Sequence, residues 1–277
     1  MLDVRPSPLA GTWYEGKAEA LALAVDQYLN KAKLPALDGE VMAVIAPHAG
    51  HRYSGPVAGY AFAALRSRSP ELVAVISPFH SLAQYPLLTT AHDAYGTPLG
   101  NIEVDKAALA ELSQSHLDIP ITPVFADREH SLEIELPFLQ RALAGNFKLL
   151  PIMIHAQGPD VARKLGLALA EVLKGKNAML VASTDLSHFH DQLTAERFDR
   201  EMLRRFESFN PEAIFEAERS GKAFACGHAA VAAVFWAARE LGANKVKILQ
   251  HATSGDVMGD YSSVVGYGAA VVLRSAA

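Results

Sequence analysis

Six short apolar runs, separated by stretches with helical spacing, constrain this chain more than any other feature. They are Val41–Ala46, Leu72–Ile76, Leu149–Ile154, Ala178–Ala182, Val246–Leu249 and Val264–Val272, four to nine residues long and built mostly of Val, Ile, Leu and Ala. They are too short for buried helices and lack the polar alternation of a sheet with one wet face. They therefore read as strands covered on both sides.

Between them the spacing predicts helices. Over Ala18–Lys31, Leu21, Val25, Tyr28 and Leu29 recur at helical intervals. Further helices are predicted over Val57–Leu65, behind a Ser54–Gly55–Pro56 opening, and over Val161–Lys174, capped by Asp160 and stopped by Gly175. Others are expected over Ala195–Phe206 with Thr194 as cap, from Asn210–Pro211 to Gly221, and over Gly227–Leu241 before Gly242. Asp93–Pro98 and Ser254–Tyr261 read as loops. The alternation predicts an α/β fold with a mainly parallel central sheet flanked by helices on both sides. No repeat, low-complexity segment or linker interrupts it, so residues 1–277 read as one domain.

Composition narrows the function. Half of the 277 residues are hydrophobic, enough for a large core. The net charge of -5 and the absence of any Lys or Arg run argue against a nucleic-acid partner. One cysteine, Cys226, excludes an intrachain disulfide. The opening residues lack the apolar core of a signal peptide, and no apolar stretch of about 18 residues suggests a membrane span. The expected compartment is the cytoplasm.

In an open parallel sheet, ligands bind beyond the carboxyl ends of the strands. His48 follows the first run, His80 the second, and Ser183, Asp185 and His188 the fourth. Parallel topology would gather them on one edge. His155 follows the third run and qualifies by position alone; His251 is a weaker case. Cys226 precedes a predicted helix start, where a thiol is expected to lose its proton more readily. Thiolate and imidazole suit iron, copper or zinc, and three ligands leave open positions. Asp185 lies three residues before His188, a spacing that suggests a carboxylate orienting a base.

Each of these residues has a purely structural alternative. A histidine after a strand can simply bond its loop, and a lone cysteine is often a buried small hydrophobe. Asp185 could cap a helix over Ser187–His190, and His130 could mark a helix start. His51, His92, His116, His190 and His228 are expected to be solvated or local.

The segments RPSPLAGTWYEG, APHAGHRYSGPVAGYAF, EHSLEIELPF, STDLSHF, ACGHAAV and YSSVVGYGA, in this order from about Arg5 to Val271, resemble the Memo family. Its microbial members are also called protein B of the AmmeMemoRadiSam system. The resemblance implies a fold similar to class III extradiol dioxygenases, which use non-haem Fe(II). It implies a pocket in which His48, His80 and Cys226 hold a metal, with His188 and Asp185 beside them as catalytic groups. His130 and His155 are further candidates for the pocket, with Phe79, Tyr53 and Phe189 as wall residues. Fe(II) is the expected ion, with copper or zinc as alternatives. One departure matters: the dioxygenases carry a glutamate where Cys226 stands, so ring cleavage does not follow from the fold.

Three functions are consistent with these residues. The first is metal-dependent, oxygenase-type redox chemistry on a small molecule. The second is a binding module for a peptide or for partners such as an AMMECR-domain protein and a radical S-adenosylmethionine enzyme. The third is zinc-assisted hydrolysis, which lacks an HExxH-like motif.

Overall fold

The computed structural model describes residues 2–275; Met1, Ala276 and Ala277, included in the single-domain reading, lie outside the described residues. In chain order the elements are β1 (Val4–Arg5), α1 (Ala18–Lys31), β2 (Glu40–Ala46), α2 (His51–Ala63), β3 (Leu72–Pro78), β4 (Leu87–Thr90), β5 (Ala94–Thr97) and β6 (Gly100–Glu103). There follow α3 (Lys106–Gln114), β7 (Ile121–Val124), a 3₁₀ turn at Glu133–Glu135, α4 (Leu136–Ala142), β8 (Lys148–Ile154), α5 (Pro159–Leu173) and β9 (Ala178–Ser183). The chain finishes with β10 (His188–His190), α6 (Gln192–Glu207), α7 (Pro211–Arg219), α8 (His228–Glu240), β11 (Lys245–Thr253), α9 (Gly255–Met258) and β12 (Val264–Arg274).

All six predicted strands form. Four of them, β2, β9, β3 and β8, lie side by side and parallel at the centre of the sheet. The sheet as a whole is mixed, which corrects the mainly parallel expectation. β12 runs antiparallel to β2, β11 antiparallel to β12, and β4 antiparallel to β8. β11 and β12 form a hairpin-like return of two long strands, and apolar content alone does not encode strand direction.

The central strands are buried on both faces because their apolar residues alternate between two cores. Ala43, Ile45, Leu72, Ala74, Ile76, Leu150, Ile152, Leu180 and Ala182 pack against side chains of α5 and α8 on one face. Val44, Ala46, Val73, Val75, Leu149, Met153, Met179 and Val181 belong to the opposite core, with side chains of α1, α2 and α4. The period of two along each strand thus supplies both layers at once.

Helix boundaries differ from the prediction where capping chemistry was misplaced. α1 forms over the predicted residues. α2 begins at His51, and Pro56 lies inside it, at the cost of one backbone donor. α5 starts after Gly158, with Pro159 first and Asp160 in the first turn. α6 is capped by Asp191, whose carboxylate accepts from the Thr194 N–H at 3.1 Å. Asn210 caps α7 as expected, accepting from Glu212 and Ala213. The two expected loops also carry structure. Residues 94–97 form β5 because Val4 and Arg5 pair with Ala94 and Tyr95, and residues 255–258 form α9. A partner so far away in sequence leaves no local signal.

The parallel register puts the strand ends level. Ala46 pairs with Ser183, Ile76 with Ala182, and Pro78 with Ile154. The loops that leave β2, β9 and β3 therefore emerge together, and β9 lies between the other two. Among the described residues no helix is long and apolar enough to cross a membrane.

Candidate metal centre

His48 and His80 leave strands on either side of β9, about 10 Å apart by strand spacing. Their rings turn inward over the β9 end, with centroids 5.3 Å apart and nearly perpendicular. Cys226 reaches the same place from the other direction, just before α8. Gly227 permits this: a Cβ there would lie 2.2 Å from the Ser183 carbonyl oxygen. The Gly227 N–H donates to Thr184 Oγ1 at 2.9 Å, and the Cys226 N–H donates to the Asp185 carbonyl at 3.2 Å. One ligand atom from each of His48, His80 and Cys226 lies within 4.8 Å of the others.

Which nitrogen faces the pocket follows from the partner of the other. His48 Nδ1 bonds Ser183 Oγ at 2.8 Å, and its Nε2 lies 3.1 Å from Cys226 Sγ. His80 Nδ1 bonds Glu129 at 2.9 Å, and its Nε2 has no hydrogen-bond partner among the described residues. Each imidazole is thus held by its outer nitrogen, as in protein sites where a second residue orients a ligand.

Asp185 does not orient His188. Its carboxylate accepts from the backbone N–H of His48 at 2.8 Å, so it shapes the loop that carries the ligand. Burial pushes Asp185 up to about 7, against the backbone donors of His48 and Ala49. His188 Nδ1 instead bonds the Leu186 carbonyl at 2.8 Å. Residues 188–190 form a short strand rather than a helix, so Asp185 caps nothing there. Asp199, buried on α6, accepts from the Ser187 N–H at 2.9 Å and from His251 Nε2 at 2.8 Å, steadying the same segment.

The expected acidic thiol is not present. Burial raises the Cys226 thiol well above its ordinary range, and the Asp185 carboxylate adds to the effect. Burial likewise lowers His48 well below the imidazole range, and neighbouring His130 and His80 reinforce it.

His130 stacks on His80 with ring centroids 4.6 Å apart and packs against Trp13 at 4.6 Å. Burial lowers its pKa to about 4 despite Glu129 beside it. Together with His80 and Glu129 it forms a second group of converging ligand atoms. His155 is apart from both groups, its ring edge-on to Phe79 at 6.4 Å. Phe189, expected in the wall, is 76% exposed.

Glu129 is the main residue that sequence reasoning missed. It accepts from the His80 N–H, from the ring of His80, and from the N–H groups of His130 and Ser131. Burial alone would raise its pKa; His80 and His130 outweigh that and hold the carboxylate well below its usual range. Its place beside His130 in EHS was a signal, but a glutamate in a loop before a helix also reads as solvated. Arg5 was missed as well. It is buried, bonds Asp127 and Glu133, and donates to the Glu129 carbonyl at 3.0 Å. His51 and His228, expected to be local or solvated, are both buried. They bond the carbonyls of Ile134 and of Ala225 and Gln157 respectively.

Two imidazoles and a thiol converging at the carboxyl ends of parallel strands define an α/β protein with a candidate metal-binding cluster. The family model described as Memo-like protein matches residues 5–271, and the chain belongs to the Memo family. It is 35% identical over 270 residues to a MEMO1 family protein of Nitrosopumilus maritimus, covering 96% of this chain and 98% of the relative. It is 34% identical over 273 residues to one of Methanothermobacter thermautotrophicus, covering 95% and 98%. A solved structure of an uncharacterized protein from Escherichia coli K12 aligns with TM-score 0.47 and 12% identity, over 83% of this chain and 99% of that one. That likeness is too distant to bear on function.

Proposed function

We infer that the pocket is a mononuclear metal centre held by His48 Nε2, His80 Nε2 and Cys226 Sγ, serving redox chemistry on a small molecule, with Fe(II) as the expected ion. One observation carries this reading. Both outer nitrogens are already taken, by Ser183 and Glu129, which leaves the two inner nitrogens and the sulfur as the ligand atoms, with His48 Nε2 and Cys226 Sγ already 3.1 Å apart. The donor set fits a metal: two imidazoles and one soft sulfur suit Fe(II), Cu(I) or Zn(II).

A bound ferrous ion would supply electron transfer and open coordination positions. The chain's own residues do the rest. Ser183 and Glu129 keep the two rings from turning. Asp185 fixes the backbone of the His48 loop. His188, its Nδ1 committed to Leu186, offers Nε2 as an acid or base towards a substrate. Burial lowers His188 from its ordinary value, which favours the neutral, proton-accepting ring. The third ligand is sulfur rather than carboxylate, and for that reason extradiol ring cleavage is not the reaction proposed.

The test is metal content after anaerobic purification. Stoichiometric iron in the parent, with little in His48→Ala and Cys226→Ser, is the expected result. A parent that stays metal-free after reconstitution with Fe(II), Cu(I) and Zn(II) would overturn the reading.

A second reading treats the pocket as a recognition site for a peptide or for AMMECR-domain or radical S-adenosylmethionine partners. It is favoured by exposed apolar side chains beside His188: Phe189 at 76% and Phe224 at 40% exposure, with ring centroids 5.6 and 5.7 Å from it. Loss of binding to a purified partner on Phe189→Ser and Phe224→Ser would support it, and unchanged or absent binding would count against it.

A further inference from the structure

Ser183 ends β9 behind the pocket, and its hydroxyl has three close neighbours. His48 Nδ1 is 2.8 Å away, the Ser131 carbonyl oxygen 2.7 Å and Glu135 Oε1 2.6 Å. All four residues are buried, none more than 1% exposed. Three hydrogen bonds need three protons, one in each contact.

The protons can be assigned by elimination. A carbonyl oxygen brings none, so the Ser131 contact takes the single hydroxyl proton of Ser183. The other two must then be donated to Ser183 Oγ. His48 donates only if Nδ1 carries a proton. Glu135 donates only as the neutral acid. An ionised Glu135 would compete with Ser131 for one hydroxyl proton, and sharing it would weaken both bonds. Both contacts have instead the length of full O–H···O bonds.

Two further observations agree. Glu135 Oε2 has no hydrogen-bond partner among the described residues. That is tolerable for the carbonyl oxygen of an acid and costly for half of a carboxylate. Burial also pushes Glu135 well above the ordinary carboxyl range, with the Ser183 hydrogen bond opposing it. With Glu135 neutral and His48 protonated at Nδ1, each of the three contacts at Ser183 Oγ has one proton.

We propose that Glu135 is a neutral carboxylic acid that, through Ser183, locks His48 as its Nδ1–H tautomer and leaves Nε2 bare on the pocket side. Glu135 and Ser183 are positioning residues: neither lies among the converging ligand atoms. The lock stands whether or not a metal binds; only its consequence for affinity rests on the metal reading.

The test uses the full chain. Infrared spectra at pH 7 should show a buried carboxylic-acid C=O band that shifts in D2O and is missing in Glu135→Gln. Histidine ¹⁵N NMR should show His48 as Nδ1–H in the parent. It should remain so in Glu135→Gln, whose amide N–H still donates to Ser183, and become a tautomer mixture in Ser183→Ala. Titration with Co(II) should give similar affinity for the parent and Glu135→Gln, and roughly 10–100-fold weaker binding for Ser183→Ala. A parent His48 in the Nε2–H form overturns the proposal without any variant. So does the absence of an acid band assignable to Glu135, or a Glu135→Gln protein that behaves like Ser183→Ala. Failure of all three proteins to bind Co(II) would count against the metal centre, while the infrared and NMR results decide the lock.

Discussion

Glu129 grips His80 at two points, its Oε2 accepting the backbone N–H at 2.6 Å and its Oε1 the ring Nδ1–H at 2.9 Å. Backbone and ring of a single pocket histidine are thus held by one buried carboxylate. Glu129→Gln keeps the shape but exchanges an acceptor for a donor facing N–H groups. Affinity for Co(II) or Zn(II), measured by chelator competition, should fall roughly 10–100-fold. An unchanged affinity would show that the grip is not what aims His80.

Arg5 holds this assembly from behind. Its guanidinium bonds Asp127 at 2.7 Å, pairs with Glu133 and lies 4.9 Å from the Tyr95 ring centre. Removing the cation would leave two buried carboxylates without a compensating charge, although Glu133 keeps Ser7 and Tyr14 and Asp127 keeps the Glu129 N–H as donors. Arg5→Met should lower stability by about 3–5 kcal/mol in urea unfolding. Because Arg5 also donates to the Glu129 carbonyl, metal affinity should fall in the same variant while it is still folded.

His188 lies near the cluster without being one of its converging donors. His188→Ala should therefore bind metal like the parent, measured by elemental analysis. Loss of metal in this variant would make His188 a ligand and change the donor set.

His51 predicts an acid sensitivity that does not involve the pocket. Its ring is buried against Tyr14 and Phe138, with Nδ1 unpartnered among the described residues, and burial lowers its pKa from 6.5 to about 4. Above pH 6.5 the ring is neutral in both folded and unfolded chains, and its contribution is fully present. As pH falls from 6.5 towards 4 the unfolded chain takes up a proton that the folded one refuses. Stability is lost over that window, by about 3 kcal/mol at pH 4. His51→Gln, whatever its stability at pH 7, should lose less between pH 7 and pH 4.5. Parallel pH slopes for the two proteins in urea melts would refute this.

The strands and the edge of the pocket were legible because each rests on a local pattern. A continuous apolar run names a buried strand, and a polar residue after it names a strand end. His48 and His80 were found this way, and both reach the cluster. His155 satisfied the same rule and does not, because the rule identifies an edge and says nothing of where a side chain turns. The Asp185–His188 pair failed for a related reason. Spacing brought them close, but the backbone N–H of His48, 137 residues away in sequence, took the carboxylate.

By itself, the sequence determined the two-sided burial of the central strands, the edge where reactive groups collect, and the family. These depend on periodicity, strand length and motif order, all carried by neighbouring residues. Only the tertiary structure decided the direction of the outer strands, the rise in the Cys226 thiol pKa, and the partners Glu129, Ser183 and Glu135. Those depend on which groups meet after folding and how much water remains between them. A helix start lowers a thiol pKa in the open; the same thiol packed beside Asp185 behaves the other way, because burial penalises the charged form more than the hydrogen bonds of Asp185, Thr184 and Gly227 favour it.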